Sequence, residues 1–361
     1  MRTKDISITL EATVKDALRK LNQTSDKLVV VTDRGGAFCG VISDGDIRRH
    51  ILAGGGLKES IAGVYNPKPV TLALDGLSRE TAGRLMREHR LEAIPILDGN
   101  RLAGYLTWED VLPACSESQP VCPVHRALDC PVVIMAGGKG TRMAPFTHIF
   151  PKPLIPVGDK VIMEWIVDTF RAFGVDTFVL VINYLAPLIE SYFGTIERNY
   201  AVDFIREKKF LGTAGSLRQL LDSHYDDFII SNCDVIVRTR YDEAMDFHRK
   251  NKSMLTIISA IQNIKIPYGV MKFGQHGHVS EIVEKPEYSF IINTGLYIIN
   301  REALSYIPSD TFYDMPTLIQ ALIDDGKQVF TFPVNEGDYL DFGQWNEYRK
   351  ALESFDKKWS S

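Results

Sequence analysis

The feature that most constrains the fold is an internal repeat in the first 112 residues. Val29-Val30-Val31-Thr32-Asp33 leads to Gly40-Val41-Ile42-Ser43-Asp44-Gly45-Asp46-Ile47. Ile94-Pro95-Ile96-Leu97-Asp98 leads in the same way to Gly104-Tyr105-Leu106-Thr107-Trp108-Glu109-Asp110-Val111. Thr13-Val14-Lys15-Asp16-Ala17 and Ser78-Arg79-Glu80-Thr81-Ala82 stand before the two units and have the form of capped helix starts. Each unit therefore reads helix, strand, turn, strand, helix. Roughly sixty residues make a thin core, so the two units are expected to pack on each other.

The units are about 1–62 and 63–112. The Pro-rich stretch 113–130 reads as a linker and 131–361 as a second domain. That domain opens on the apolar strand Val132–Ala136. It then alternates helix and strand: Ile162–Phe173, Thr177–Ile182, Ala186–Phe193 and Phe228–Ser231. This rhythm predicts an α/β fold, a mixed and mostly parallel Rossmann-like sheet covered by helices, behind a smaller α/β module. Ligands of such sheets bind at the strand ends.

With 41 Lys and Arg against 46 Asp and Glu, the net charge is −5, and no basic block stands out. Nucleic-acid and membrane-surface binding are not expected. The start Met1-Arg2-Thr3-Lys4-Asp5 lacks a signal-peptide pattern, and no apolar run has the length of a membrane span, so a cytoplasmic protein is expected. Five cysteines make no disulfide framework. Cys115, Cys122 and Cys130 surround His125, but their spacings fit no paired zinc knuckle, and free thiols are expected.

An acidic protein that handles phosphates must concentrate positive charge locally. Gly137-Gly138-Lys139-Gly140-Thr141-Arg142 follows the first strand of the second domain. Its glycines let the backbone approach a ligand and aim N–H groups at phosphate oxygens. It matches neither the Walker nor the dinucleotide pattern. Ten residues on, Lys152 lies between Pro151 and Pro153, on stiff backbone. Asp234 ends a strand, where a carboxylate suits Mg²⁺, although alone it also fits a cap or turn.

Ala136-Gly137-Gly138-Lys139-Gly140-Thr141-Arg142 and Pro151-Lys152-Pro153-Leu154 resemble the opening of the sugar-1-phosphate nucleotidyltransferases. Gly212-Thr213-Ala214-Gly215, Asn232-Cys233-Asp234, Glu284-Lys285-Pro286, Asn293-Thr294-Gly295 and Leu340-Asp341-Phe342-Gly343 extend the resemblance to about Tyr348. It implies transfer of a nucleoside monophosphate to a sugar 1-phosphate, with release of pyrophosphate. Arg142, Lys152 and Lys285 would be catalytic, and Asp234 and Asp341 would hold Mg²⁺. Ala136, Gly137, Gly138, Gly140, Thr141, Glu207 and Gly212 would bind the nucleotide. Tyr268, Gly269, Glu284, Asn293 and Gly295 would bind the sugar. The segment 340–343 departs from the family in lacking an opening Trp and in carrying Phe342, which weakens the case for Asp341.

The front repeats resemble paired cystathionine-β-synthase-type (CBS) modules, which often bind adenine nucleotides. Asp46 and Asp110 would then contact ribose and Ser43 and Thr107 phosphate, although all four also suit helix caps. A homo-oligomer is expected. At the position that reads the base in the family, Glu207 only accepts hydrogen bonds. Guanine offers it two adjacent donors, whereas uracil offers one between two carbonyl oxygens, so GTP is favoured over UTP. The domain order resembles glucosamine-1-phosphate guanylyltransferases of nonulosonic (legionaminic) acid biosynthesis. Uridylyl transfer to another sugar 1-phosphate is the alternative, as is a non-catalytic nucleotide-sugar-sensing subunit. The latter would be expected to lose Arg142, Lys152, Asp234, Lys285 and Asp341, all of which are present.

Overall fold

The protein is described by a computed structural model covering residues 2–24, 27–89, 91–111 and 125–358. Each front repeat forms a three-stranded sheet with flanking helices. The first uses β1 (Ser7–Thr9), α1 (Val14–Thr24), β2 (Leu28–Thr32), β3 (Phe38–Ser43) and α2 (Asp44–Leu52). The second uses β4 (Leu72–Ala73), α3 (Arg79–His89), β5 (Ala93–Asp98), β6 (Arg101–Thr107) and α4 (Trp108–Val111). The short parallel strands β1 and β4 are additions to the expected pattern. At three and two residues they are too short to show a period. Capping fixes the helix starts as expected: Thr13 and Asp16 bond reciprocally at α1, and Ser43 and Asp46 form a capping box at α2. Ile6, Leu28, Val30 and Val41 share one buried cluster with Ala93 and Tyr105, so the two repeats do pack together.

The rest of the described chain is built on a seven-stranded sheet. Its strands are β7 (Val132–Ala136), β10 (Thr177–Ile182), β11 (Ala201–Arg206), β12 (Asp227–Asn232), β14 (Leu255–Lys265), β17 (Glu287–Asn300) and β18 (Val329–Asn335), in the order β11-β10-β7-β12-β17-β14-β18. Only β17 runs against the others. Alternate residues of β7 feed two cores. Val132, Ile134 and Ala136 pack with α5 (Ile162–Arg171), α6 (Ala186–Thr195) and α7 (Tyr241–Lys250). Val133 and Met135 pack with α8 (Met315–Asp324) on the other face. Burial on both faces explains the unbroken apolar run. Two-stranded ribbons complete the domain: β8 (Pro156–Val157) with β9 (Lys160–Val161), β13 (Val235–Val237) with β19 (Tyr339–Asp341), and β15 (Val270–Phe273) with β16 (Val279–Val283). Helix α9 (Trp345–Lys358) follows.

Most of the expected linker lies outside the described residues, Cys115 and Cys122 included. Residues 125–130 are packed on the sheet domain: His125 stacks on Phe173 at 4.2 Å, and the Leu128 N–H donates to the Phe173 carbonyl at 2.9 Å. Burial pushes the Cys130 thiol up to about 12, as befits an inert core cysteine. Among the described residues no cluster of three His, Cys, Asp or Glu side chains suits a metal ion, and no helix is long and apolar enough to cross a membrane.

The front module docks at the β14–β18 flank of the sheet domain. Ile261 of β14 is buried in the core of the first repeat, among Val14, Leu18 and Ile42. Arg48 of α2 donates to the Pro333 carbonyl at 2.9 Å and lies 4.2 Å over the Phe332 ring.

Candidate active site

Strands β11, β10, β7 and β12 are consecutive and parallel, so their carboxyl ends form one edge. Glu207 follows β11, the glycine loop follows β7, and Asp234 follows β12. Three strand spacings separate the first from the last, roughly 14 Å, about the span from a nucleotide base to its terminal phosphates. A cavity of about 240 Å³ opens along this edge and is lined by Gly137, Gly138, Gly140, Thr141, Arg142 and Lys152, together with Glu207, Gly212 and Asp234. Nine sequence-predicted residues thus share one cavity, while Ala136 lies buried at the end of β7 beneath it. Gly140 adopts φ 62°, and a Cβ there would sit 2.9 Å from the Thr147 side chain, so the turn requires glycine.

At one end of the cavity Glu207 is 6% exposed. The Ser216 hydroxyl donates to Oε1, while Oε2 is buried with no hydrogen-bond partner. Burial holds the carboxyl above its usual range, against the opposing pull of Ser216 and the Leu211 N–H. A Cβ on Gly137 would come within 2.6 Å of Oε2. The absence of a side chain at 137 therefore leaves the space beside this buried acceptor unblocked.

At the other end the ribbon β13–β19 sets Val235 opposite Asp341 and so brings Asp234 beside it. The carboxylates converge over Gly343: a Cβ there would lie 2.6 Å from Asp341 Oδ1 and 3.2 Å from Asp234 Oδ2. Burial, then the charge of Asp234, raises the Asp341 carboxyl, while the Gly343 N–H, Lys152 and Arg142 oppose the rise. Lys152 is 6% exposed; its ammonium bonds to Asp234 and donates to the Gly343 carbonyl at 3.2 Å. The stiff turn thus carries a buried cation. Phe342, the departure from the family pattern, is buried in the main core, and Asp341 reaches the site only through Asp234 and Gly343, since it lines a neighbouring cavity and not that of the glycine loop.

The expected sugar residues divide into two groups. Asn293 and Gly295 sit at an irregularity where β17 slips register against β14 between Ile258 and Ser259. Gly295, at φ 84°, lies against the Asn232 side chain at the end of β12, next along the same edge. Such bulges re-aim backbone near sites. Tyr268, Gly269, Glu284 and Lys285 instead flank the hairpin β15–β16, with Gly269 beside the Glu284 carboxylate. Tyr268 is 74% exposed, and neither Glu284 nor Lys285 lines the cavity of the glycine loop. A protruding ribbon keeps them apart from it. Asn232, quoted in the Asn232-Cys233-Asp234 motif without a role of its own, belongs to the surroundings of the site. So do Ser216 and Asp314, whose carboxylate accepts the Thr213 N–H at 3.0 Å; sequence reasoning singled out neither. Single polar residues in loops carry no spacing signal.

In the front module Asp46 accepts the Ser43 N–H at 2.8 Å and Asp110 accepts the Thr107 N–H at 3.0 Å, so both carboxylates cap helices. Asp110 also receives Arg2 Nε at 3.1 Å. Ser43 and Asp46 line a second, larger cavity, which Thr107 and Asp110 do not.

The Nucleotidyl transferase family matches residues 131–358, and the CBS domain matches residues 1–53 and 61–117. The chain belongs to the nucleotidyl transferase family and carries two CBS domains. It is 32% identical over 240 residues to a UTP–glucose-1-phosphate uridylyltransferase of Synechocystis sp., covering 61% of this chain and 62% of that protein. It is 31% identical over 230 residues to a mannose-1-phosphate guanyltransferase of Candida albicans, covering 60% of this chain and 62% of that protein. The chain therefore spans about 62% of the length of these relatives. HddC from Yersinia pseudotuberculosis superposes with a TM-score of 0.49 at 28% identity, over 63% of this chain and 99% of that one.

Proposed function

We propose that this protein transfers a nucleoside monophosphate from a nucleoside triphosphate to a sugar 1-phosphate, releasing pyrophosphate and a nucleoside diphosphate sugar. The observation that carries the reading is the order of groups along one sheet edge: Glu207, the glycine loop, Lys152, Asp234 with Asp341, then Gly295. A base, a triphosphate and a sugar phosphate need their partners in this sequence. The sugar phosphate is already a nucleophile, so the protein has to align it and neutralise charge on the α-phosphate and on the departing pyrophosphate.

Asp234 and Asp341 suit Mg²⁺. Two carboxylates with room for phosphate oxygens and water match its preferences, the side-chain-free position at Gly343 leaves that room, and the Lys152 ammonium beside Asp234 marks a place for positive charge. When bound, the ion supplies positive charge to the phosphate oxygens. The glycine-loop N–H groups and Arg142 take the leaving phosphates, and Lys152 faces the α-phosphate. Lys285 reaches the sugar phosphate from the hairpin, beside Glu284 on the sugar hydroxyls.

GTP is the preferred donor. The two Glu207 oxygens can take guanine N1–H and the 2-amino group together, a charge-assisted pair, and the unpartnered Oε2 supports this. The relatives include both uridylyl- and guanyltransferases, which makes Glu207 the residue to test. Glucosamine 1-phosphate is the favoured acceptor, by domain order. The CBS pair takes an adenine nucleotide and regulates the enzyme. The exposed Met271, Phe273 and Ile282 support association into a homo-oligomer. The test is pyrophosphate release with Mg²⁺ from a panel of nucleoside triphosphates and sugar 1-phosphates. The expected result is turnover with GTP and glucosamine 1-phosphate. No release with any pair would overturn the reading in favour of a sensing subunit.

A further inference from the structure

A cavity of about 470 Å³ that the transfer reaction leaves unused lies between the two domains. Ser43 and Asp46 of the first repeat line it, with Leu91 and Ala93 of the second. The catalytic domain supplies Arg238, Thr239, Arg240, Glu243 and Asp338 to its wall. We infer that this cleft is a composite effector site, closed by the catalytic domain, for a nucleoside phosphate, and that the ribbon β13–β19 couples its occupancy to Asp234 and Asp341. The inference rests on the reading that the CBS pair takes a nucleotide, and it adds the shared wall and the route.

The lining has the chemistry of such a ligand. Lys27 and Lys68 are exposed at the cleft and join no ion pair among the described residues. Arg48, Arg49 and Arg240 bring further charge, each held by a carboxylate: Arg48 by Asp44, Arg49 by Asp46, and Arg240 by Asp242 at 2.8 and 2.9 Å. Oriented guanidinium groups suit phosphate oxygens. Val41, Val70 and Leu91 offer an apolar surface to a base. Asp338 accepts only, so it meets ribose hydroxyls or an amino group rather than phosphate. Pockets of this size hold ligands of nucleotide size.

The route is short and stiff. Asp338 and Asp341 are three residues apart, roughly 10 Å along a strand. The ladder pairs Val235 with Asp341 and Val237 with Tyr339. Backbone bonds close it at both ends: the Arg238 N–H donates to the Asp338 carbonyl and the Phe342 N–H to the Asp234 carbonyl, each at 2.8 Å. Val235, Ile236, Val237 and Leu340 are buried in the main core. A close-packed ribbon of this kind passes on a displacement rather than absorbing it. One end of it faces the cleft and the other carries the two carboxylates. A ligand that draws Arg238 and Asp338 toward the CBS pair thereby shifts the carboxylates at the far end.

The experiment uses the full chain. AMP, adenosine and inorganic phosphate, none of them a substrate or product of the proposed transfer, are each titrated by calorimetry into wild type, Lys68→Ala, Arg238→Ala and Asp338→Asn, with circular dichroism to confirm folding. Hydrogen exchange is followed at residues 235–237 and 339–341. The expected result is one nucleotide per chain, with affinity falling at least tenfold both in Lys68→Ala and in one or both catalytic-domain variants. The ribbon amides should gain protection on binding, and 1 mM Mg²⁺ should change the nucleotide affinity, as reciprocity of coupling requires. Binding unchanged in Arg238→Ala and Asp338→Asn would overturn the shared site while leaving nucleotide binding by the CBS pair intact. Protection confined to the front module would overturn the coupling. Binding of inorganic phosphate or adenosine as tightly as AMP, or of nothing, would overturn the ligand class. None of these readouts depends on turnover.

Discussion

At Glu207 the base reading we propose and the stability of the nucleotide-free protein pull in opposite directions. Its carboxylate is buried with one oxygen unpartnered, and burial raises its pKa. The folded state therefore holds the proton more tightly than the unfolded chain, and stability falls as pH rises from the unfolded pKa through the folded one. At neutral pH the charged form is a burden on the nucleotide-free protein. Glu207→Gln should raise the melting temperature of that form at pH 7, and the gain should vanish below pH 4, where both states are protonated. The same substitution should cut the ratio of kcat/KM for GTP over UTP by about ten- to hundredfold, because an amide can donate to a uracil carbonyl and no longer pairs with both guanine donors. Differential scanning calorimetry across pH and paired kinetics measure the two effects. A stabilised variant with unchanged base preference would place base reading elsewhere. Asp234 sits at the opposite end of the cavity. Asp234→Asn should lower Mg²⁺-dependent turnover by about a hundredfold or more in a protein that circular dichroism shows to be folded.

At the scale of elements, the strands and helices of the sheet domain were legible wherever burial imposed a period. Val132–Ala136 and Thr177–Ile182 form strands with the expected bounds, because both faces are covered. The reversal of β17 was not legible, since strand direction is set by pairing across the sheet rather than by side-chain pattern. The glycine loop, Lys152 and the two Asp were legible through their motifs. The wall that Arg238, Arg240 and Asp338 give to the interdomain cleft was not, because docking of one domain on another leaves no local periodicity. The turn after β19 shows how an element defines a site by what it omits. Gly343 has an ordinary backbone, but a methyl there would meet Asp341 Oδ1 at 2.6 Å and Asp234 Oδ2 at 3.2 Å. Gly343→Ala should therefore leave the melting temperature within a few degrees of wild type, raise the Mg²⁺ needed for half-maximal rate about tenfold, and lower kcat. A fully active variant would show that cations bind away from this pair. The hairpin gives a second contrast. Arg142→Ala and Lys285→Ala should each cost roughly a hundredfold in turnover, and Lys139→Ala, which lies outside the cavity lining, much less. If Lys285→Ala proved as mild as Lys139→Ala, the exposed hairpin would have no part in the reaction.

On the scale of the whole molecule, the two domains are joined by packing as well as by the chain. Ile261 and Phe332 of the catalytic domain are each 3% exposed. Ile261 belongs to the core of the first repeat, and Phe332 lies under the Arg48 guanidinium. Removing residues 1–112 uncovers both side chains, along with the Pro333 carbonyl that accepts from Arg48 and the Glu287 carboxylate that pairs with Lys15 at 3.4 Å. The catalytic domain keeps its two main clusters, neither of which contains a residue of the front module. The fragment should therefore fold. Exposing two large apolar side chains costs about 3–6 kcal/mol at roughly 1.5–3 kcal/mol each, which for a domain of this size lowers the melting temperature by roughly 6–24 °C. The polar partners matter less, because water replaces them. Arg48→Ala in the full chain is the milder version of the same cut. It removes the ring contact and the bond to Pro333, and should cost about 1–2 kcal/mol. Calorimetry should rank the full chain as the most stable, Arg48→Ala next and the fragment last. A fragment that melts with the catalytic transition of the full chain would show that docking contributes nothing to stability, and that the front module rides on the linker alone.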